Sequence, residues 1–546
     1  MARITIDSIL GGQSQTTHYA AKDQFKVAIG IDPSQPDGTT TGSYATSRSS
    51  GLLRPTLVSS VSNTTLVGSP LWIVNNPKTG YQFFVYDATG SAYTHAKGTF
   101  NALTALSDGG SLSNSTGNGA AYYDNYVYFA KDTTVARYGP LDGSTTIGFD
   151  GDYWVTTLAK TALGIQDSPF TSQTDVYYPN HVMHRHSDGR LYFADVTNNQ
   201  GVIHYISTKK TTYEGDTNNG STYAALTLGY GQYVTAIESY GSGLVLAVWE
   251  GSGGTYSSRN PAKLVFWDTT SQNFNSITNN EFPDPYISAL KNINGVLYIF
   301  SGNPPNVGFR VSRYIGGSSI QDVHYSVEGE APFPGAVDGL ANTLYFGSFT
   351  DFPTSDTPCV YAINTPNSGV GKGIYIPYTT TPGTNVTTSS VTALRVSAEN
   401  FNEMGLLIGT GGSTKALDKT GVTASGTTDY SVTPHIYWSQ LYNIGQPFQI
   451  KRIRVPLVKT LSSTMTIVPK LYFDNGAQSQ TLTTINSTNF PTTGPGNGLV
   501  ANIRTAGDGS NIIIGQQNFW LELKWTGTGL ATVDLPIIID FDIIPD

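Results

Sequence analysis

One short unit recurs along this chain: a polar turn, then a run of β-branched and aromatic residues. Its clearest copy is Asn292-Ile293-Asn294-Gly295-Val296-Leu297-Tyr298-Ile299-Phe300. Asn-Gly accepts the positive φ angles of a two-residue hairpin turn, and Val-Leu-Tyr-Ile-Phe suits a pleated, mostly buried surface. Asp124-Asn125-Tyr126-Val127-Tyr128-Phe129 and Asp188-Gly189-Arg190-Leu191-Tyr192-Phe193 repeat the unit, and Gly241 to Leu246 and Ala341 to Phe346 are looser copies. Counted from the central residue, the copies lie 64, 54, 52 and 47 positions apart. A supersecondary unit recurring at this period, with no helical pattern between copies, predicts β-propeller blades.

The pattern extends over residues 61–430. Seven strand clusters are visible, centred on Gln82–Tyr86, Tyr126–Phe129, Leu191–Phe193, Leu244–Trp249, Val296–Phe300, Thr343–Phe346 and Gly405–Ile408. Most are followed by a second strand with an aromatic residue, such as Val135–Tyr138, Val202–Tyr205, Lys263–Trp267, Arg310–Tyr314 and Val360–Ile363. A preceding strand recurs as Val234–Ile237, Ile287–Leu290 and Val391–Leu394. Three strands per repeat are read directly and a fourth is inferred, which gives a propeller of about seven blades. Two stacked sandwiches are the competing all-β arrangement.

The flanks differ from this middle. Residues 1–60 contain one alternating stretch, Arg3-Ile4-Thr5-Ile6-Asp7, and then turn-rich segments with no room for a core. They read either as a disordered tail or as an extended arm that gains its order by lying on another surface. Residues 431–546 change register. Arg452-Ile453-Arg454-Val455 alternates, Phe519, Leu521, Leu523 and Trp525 fall on one face, and Ile537 to Ile543 carries Asp540 and Asp542 on the face expected to be wet. Period-2 strands of this kind predict an antiparallel β-sandwich or jelly roll. The chain is thus expected to be all-β, with an N-terminal arm (1–60), a propeller (61–430) and a sandwich (431–546).

Composition excludes several function classes. A formal charge of −9 argues against nucleic-acid wrapping, which needs clustered Lys and Arg. The single cysteine, Cys359 in an apparent strand, excludes internal disulfides and a thiolate metal cage. No apolar run approaches the roughly 18 residues of a membrane span and no signal-peptide core opens the chain, so a soluble protein without membrane insertion is expected.

Candidate chemistry is sparse. His184 and His186 share a strand face at a workable metal spacing, but Arg185 intervenes and no carboxylate is placed as a third ligand. Ser368-Gly369-Val370-Gly371-Lys372-Gly373 resembles a phosphate loop but has Pro366 in place of the first glycine and Gly373 in place of the hydroxyl residue. Gly409-Thr410-Gly411-Gly412 follows a strand and opens no helix. Glu238, Glu250, Asp268, Glu328 and Glu330 are carboxylates that a propeller glycosidase could use, yet nothing pairs any two of them, and they read as solvated loop and edge residues. Phe149-Asp150-Gly151-Asp152-Tyr153-Trp154 is the best candidate for an exposed aromatic loop that stacks on sugars. No catalytic, cofactor or metal site is expected, and no enzyme activity.

Within the arm, Leu10-Gly11-Gly12-Gln13-Ser14-Gln15 is followed by Asp23-Gln24 and then by Gly51-Leu52-Leu53-Arg54-Pro55 just before the repeats. This order resembles the opening of the tail nozzle (tail tubular) proteins of short-tailed bacteriophages, which have a Gly-Gly-x-Ser-Gln arm and a Gly-Leu-x-x-Arg-Pro-like element before a propeller. Thr16-Thr17-His18 departs from that pattern. The resemblance implies a structural part of a virion tail, made in the host cytoplasm. It implies a homo-oligomeric ring, such as a hexamer, that meets other tail or adaptor proteins while DNA passes through without specific binding. A tail fibre or surface-binding protein that recognises a host receptor or glycan is the alternative expectation.

Overall fold

Strand-period sequences punctuated by turns form sheets, and the computed structural model is built of them, with single-turn 3₁₀ helices such as Pro334–Ala336 between strands. The described residues are all those outside 10, 15–22, 32–57, 62–65, 79–81, 96–102, 107–118, 132–133, 144–146, 155–180, 208–223, 253–254, 257–259, 272–277, 304–307, 318, 327–328, 341–342, 351–356, 365–373, 380–389, 401–402, 412–414, 421–434, 459–460, 462–463, 491–498, 528–531 and 546. The chain divides into two compact units. The larger comprises Ser60–Pro358 and Pro382–Lys419; the smaller comprises Met1–Ser59, Cys359–Thr381 and Thr420–Asp546.

In the larger unit seven strands, Pro70–Asn75, Ala120–Tyr123, Met183–Arg185, Gln232–Tyr240, Tyr286–Ile293, Val337–Leu340 and Ser390–Asn400, each stand at the end of a sheet; six of these sheets are small and antiparallel, and the one headed by Val337–Leu340 has eleven strands. The seventh of them packs against the first, and the others follow one another around the circuit, so the sheets close into a seven-bladed propeller with these as its inner strands. The recurrent turn-strand unit supplies the second strand of every blade, for example Arg190–Thr197 and Val296–Gly302. The inferred fourth strands are present in the first five blades, from Leu103–Ala105 to Ser319–Ser326. Val58–Val61 is the outer strand of the seventh.

Apolar side chains collect between blades. Val74, Phe84 and Tyr86 meet Ala120, Val127 and Phe129 at the first junction. Ala236, Val245 and Leu264 meet Ile287, Leu297 and Ile299 between the fourth and fifth blades. The seam that closes the ring holds Ile73, Phe83, Val85 and Tyr93 of the first blade against Ala393, Leu407 and Leu417 of the seventh. The recurring Thr-Ala step has a backbone purpose. A bulge falls between Val234 and Ala236, between Val391 and Ala393, and between Pro70 and Trp72. The hydroxyls of the extra residues Thr235 and Thr392 donate to the carbonyls of Ile287 and Pro70 on the next blade. The bulges at Thr235 and Thr392 therefore also bond one inner strand to the next.

The smaller unit packs two sheets face to face. One contains Ala2–Ile6, Ile537–Ile543, Phe448–Pro456 and Val500–Ile503 in that order; the other contains Ile374–Thr379, Gln24–Ile29, His435–Ser439, Asn518–Gly527 and Met465–Phe473. Phe448 of the first sheet meets Phe473 and Phe519 of the second, with ring centroids 6.1 and 5.4 Å apart. Phe519, Leu521, Leu523 and Trp525 share the buried face, as their alternation predicts.

Three expectations need correction. First, the arm's described strands Ala2–Ile6 and Gln24–Ile29 are extended, but the surface they lie on is this chain's own smaller unit. Ala2 to Ile6 pairs with Phe541 to Ile537, and Phe25 to Ile29 pairs with Ser439 to Ile436, burying Phe25 and Ile29 in the core. Second, the linear division at 60 and 430 does not follow the compact units, because Cys359–Thr381 joins the smaller one, where Ile374–Thr379 runs parallel to Gln24–Ile29. Third, Asp540 is not wet: it is 1% exposed, beneath Arg3, Arg452 and Arg454.

The hairpin turn that defines the repeat takes the expected form. Asn294 (φ 53°) and Gly295 (φ 83°) both adopt positive φ between the paired residues Ile293 and Val296. A Cβ on Gly295 would meet no atom within 4 Å, so the cost of substitution there is backbone strain alone. Gly295→Val is expected to destabilise the larger unit by roughly 1–3 kcal/mol. Urea unfolding of the purified variant checks this through a lowered midpoint with an unchanged slope.

Candidate functional site

The inner strands bring their polar residues together near the axis, at the end where each strand enters its hairpin. Opposite the central Tyr298, Tyr345 and Tyr192 of the repeat stand Lys291, Asp338 and His184, and Glu238 stands opposite Val245. Equivalent positions on successive blades thus carry an imidazole, a carboxylate, an ammonium and a carboxylate. Arg395 and Val396 of the seventh blade and Asn75 of the first continue the belt.

Its contacts run from blade to blade. His184 Nε2 and His186 Nδ1 both lie on Ser239 Oγ, at 2.7 and 2.9 Å, and His186 Nε2 donates to the Ser242 carbonyl at 3.1 Å. In a neutral His186 that tautomer leaves Nδ1 to accept from the Ser239 hydroxyl, which in turn accepts from His184. Glu238 lies 3.8 Å from His184, and its side chain is only 13% exposed. Asn292 donates to the Ser239 carbonyl at 2.9 Å. Lys291 Nζ lies 2.7 Å from Asp338 Oδ1, while Asp338 Oδ2 accepts from the Val396 amide at 2.9 Å and faces Arg395 Nε at 3.5 Å. Asn75 Nδ2 donates to the Val396 carbonyl at 2.9 Å and so reaches the first blade.

The titration of the belt follows from burial and charge. Burial lowers the pKa of His184, Glu238 offsets this only in part, and Lys291 and His186 add to the fall, so the ring is held neutral. Burial alone would raise the pKa of Asp338, but Arg395, Lys291 and the Val396 amide bring it down to about 2. A carboxyl held there cannot serve as a general acid at neutral pH. The 3₁₀ turn Pro334–Ala336 packs against the inner strands of the fifth, seventh and first blades. A Cβ on Gly335 would sit 1.8 Å from the Leu71 carbonyl oxygen, so only glycine permits this approach.

The other candidates are dispersed. His184 and His186 do share a face, but both are turned onto one serine hydroxyl, and no cluster of metal-ligating groups occurs among the described residues. Glu238 is a belt residue rather than a solvated edge. Glu250 pairs with Lys263 and Gln232, and Asp268 closes an exposed turn by accepting from the Thr270 and Ser271 amides. Glu330 donates its amide to Ser348 Oγ; Glu328 and Ser368 to Gly373 lie outside the described residues. Gly409 and Gly411 form a packing surface against Pro70 and Ser69 at the ring seam. Tyr153 and Trp154 are 6% and 0% exposed, so their rings pack on Tyr128 and Phe193 and cannot stack on a sugar. Cys359 is a buried strand residue.

The belt residues Lys291, Asp338 and Arg395 were not singled out from the sequence. A signal exists: Lys291 and Asp338 each fall seven positions before the central tyrosine of their repeat, and Glu238 seven before Val245.

No protein-family model matches the chain, and no curated protein matches its sequence. Among solved structures it is similar to the N-terminal domain of Nup159, at 9% identity and a TM-score of 0.36, covering 73% of this chain and 98% of that one. It is also similar to YCF48 bound to D1 peptide, at 10% identity and a TM-score of 0.37, covering 68% of this chain and 96% of that one. The closed circuit of inner strands is what defines the propeller.

Because the pKa of Asp338 is depressed, its pairing stabilises the folded larger unit above the unfolded carboxyl value of 3.8 and is lost as pH falls towards about 2. Asp338→Asn is expected to cost roughly 2 kcal/mol at pH 7 and to flatten the fall in stability between pH 4 and pH 2. Thermal unfolding of both proteins across that range checks it. A variant that keeps the wild-type acid slope would show that Lys291 and Arg395 do not depend on Asp338.

Proposed function

We propose that this chain is a non-enzymatic structural part of a short-tailed phage virion tail, nozzle-like and assembled as a ring that guides DNA. The observation that carries the reading is how the residues of the nozzle resemblance meet. Gly12 and Gln13 pair in parallel with Gln24 and Phe25, Gly11 N donates to the Asp23 carbonyl at 2.9 Å, and Ser14 N donates to the Phe25 carbonyl at 2.8 Å. Gly12 has φ 77°, and a Cβ on Gly11 would lie 2.6 Å from the Asp23 carboxyl group. The motif is therefore a specific lock between two arm segments rather than a by-product of turn-rich composition. Arg54 and Pro55, its third element, lie outside the described residues.

Two further features support a scaffold. The belt groups are engaged with one another, so Glu238 and Asp338 serve blade-to-blade contacts instead of forming an acid/base pair. The larger unit carries 17 Lys and Arg against 27 Asp and Glu, a balance that repels phosphate. The alternative of a receptor- or glycan-binding fibre loses its best sequence support with the burial of Tyr153 and Trp154.

The purified full-length chain is expected to form closed rings visible by electron microscopy. It should show no retention of duplex DNA at physiological salt in a mobility-shift assay. Tight, salt-sensitive DNA binding would overturn the conduit reading. A protein that stays monomeric at every concentration and binds host envelopes or polysaccharide would select the fibre alternative.

A further inference from the structure

Arg3, Arg452 and Arg454 converge on one carboxylate. Arg3 Nε lies 2.8 Å from Asp540 Oδ1; Arg452 Nε and its terminal nitrogen lie 2.9 and 2.7 Å from Oδ2; Arg454 reaches Oδ2 at 3.2 Å. Strand register builds the cluster: Arg3 and Arg452 both stand directly opposite Asp540 on the two neighbouring strands, and Arg454 projects from the same face one step along. The alternating Ile453 and Val455 are fully buried on the other side, so the arginines occupy the outer face of the sandwich. Burial alone would raise the Asp540 pKa, but the hydrogen bonds of Arg3 and Arg452 and the charges of Arg3 and Arg454 bring it down to about 2.

The charge does not balance. Three guanidiniums surround one carboxylate and leave an excess of two positive charges within hydrogen-bonding distance of each other. Asp540 is already saturated by four N–H donors, whereas three guanidiniums present about fifteen. Arg454 Nε is buried and has no hydrogen-bond partner, and the Arg3 side chain is 55% exposed. The exposed N–H donors of these side chains and the crowded like charges both favour a second oxyanion at this face, since Arg forks match carboxylate geometry.

The chain itself offers the complementary surface. Against the 17 basic and 27 acidic residues of the larger unit, the smaller one carries 13 and 12. A basic patch on one unit and an acidic surface on the other are the ingredients of a head-to-tail contact between copies, the kind that closes into rings. We infer that the Arg3, Arg452 and Arg454 cluster is an intersubunit contact site that takes a carboxylate from the acidic propeller of a second copy of this chain. This rests on the ring assembly proposed above and names the face that makes it.

The test uses the full-length chain, with sedimentation velocity at low and high NaCl on wild type, Arg454→Gln and Arg3→Gln. Arg454→Gln removes one 3.2 Å bond from Asp540, and Arg3→Gln changes a half-exposed residue, so one variant serves if the other fails to fold. Wild-type association should weaken with salt, and each variant should associate roughly tenfold more weakly while remaining folded. Association equal to wild type in both folded variants would overturn the inference and leave the ring reading standing. A wild-type chain that never associates would remove both. Binding of inorganic phosphate or a short DNA duplex that is lost in Arg454→Gln, with association unchanged, would also overturn it, because the cluster would then hold a free oxyanion.

Discussion

The larger unit depends on one seam. A propeller is a linear array of blades until the last is joined to the first, and here that joint must be made by residues more than three hundred positions apart. The Thr392 hydroxyl bonds the Pro70 carbonyl, Asn75 bonds the Val396 carbonyl and Lys415 bonds the Val67 carbonyl. Hydrogen bonds of this kind each add only about 1 kcal/mol net. The apolar contact is larger. Ile73, Phe83, Val85, Tyr93, Leu407 and Leu417 are all at least 95% buried at the seam, and burial of such side chains is worth roughly 1.5–3 kcal/mol each. Hydrophobic burial therefore closes the ring, and the hydrogen bonds select its register. Gly409 and Gly411 belong to the same constraint, because a side chain at either position would strike Pro70 or Ser69.

The axial belt is the polar counterpart of that packing. Charge alternates in sign along blades four to seven, from Glu238 to Lys291 to Asp338 to Arg395, and Asp338 lies between cations of the two neighbouring blades. Such an arrangement penalises a blade that is rotated or shifted, since like charges would then meet. Burying Asp338 would be unfavourable alone; with Lys291, Arg395 and the Val396 amide around it, the same burial becomes a specificity device. Asp338, held ionised by these partners, orders blades and is not poised to donate a proton at neutral pH.

Much of the fold was legible because propeller blades write themselves as local repeats. Asn294-Gly295 and Asp124-Asn125 announce their turns by residue type, and Val-Leu-Tyr-Ile-Phe announces the buried strand after them. The inner strands were harder to read. Val337–Leu340 contains Asp338 and Gly339, which look like turn residues until Lys291 and Ile293 are known to pack on them. For the arm, the sequence left a disordered tail and an extended arm both open and did not give a docking surface, since the pairing of Ala2–Ile6 with Ile537–Ile543 spans nearly the whole chain and no local pattern encodes it. Asp540 misled for the same reason. Alternation placed it on the outer face, where it does lie, and only the cross-strand register of Arg3 and Arg452 buries it.

That last case links the two ends of the argument. The Arg3–Asp540 bond connects the first strand to the last, so the arm does more than fill an edge: it supplies one of the three guanidiniums on the sandwich face. Had the arm been a dispensable tether, residues 1–24 could be removed from an otherwise intact protein. Instead their removal would strip Arg3 from Asp540, expose the edge of Ile537–Ile543 and take away Gly12 and Gln13, which pair with Gln24 and Phe25 beside the core. Any effect of the arm on assembly therefore has to be separated from its effect on the smaller unit. Single arginine substitutions make that separation, because they alter the charge of the outer face and leave every backbone pairing in place.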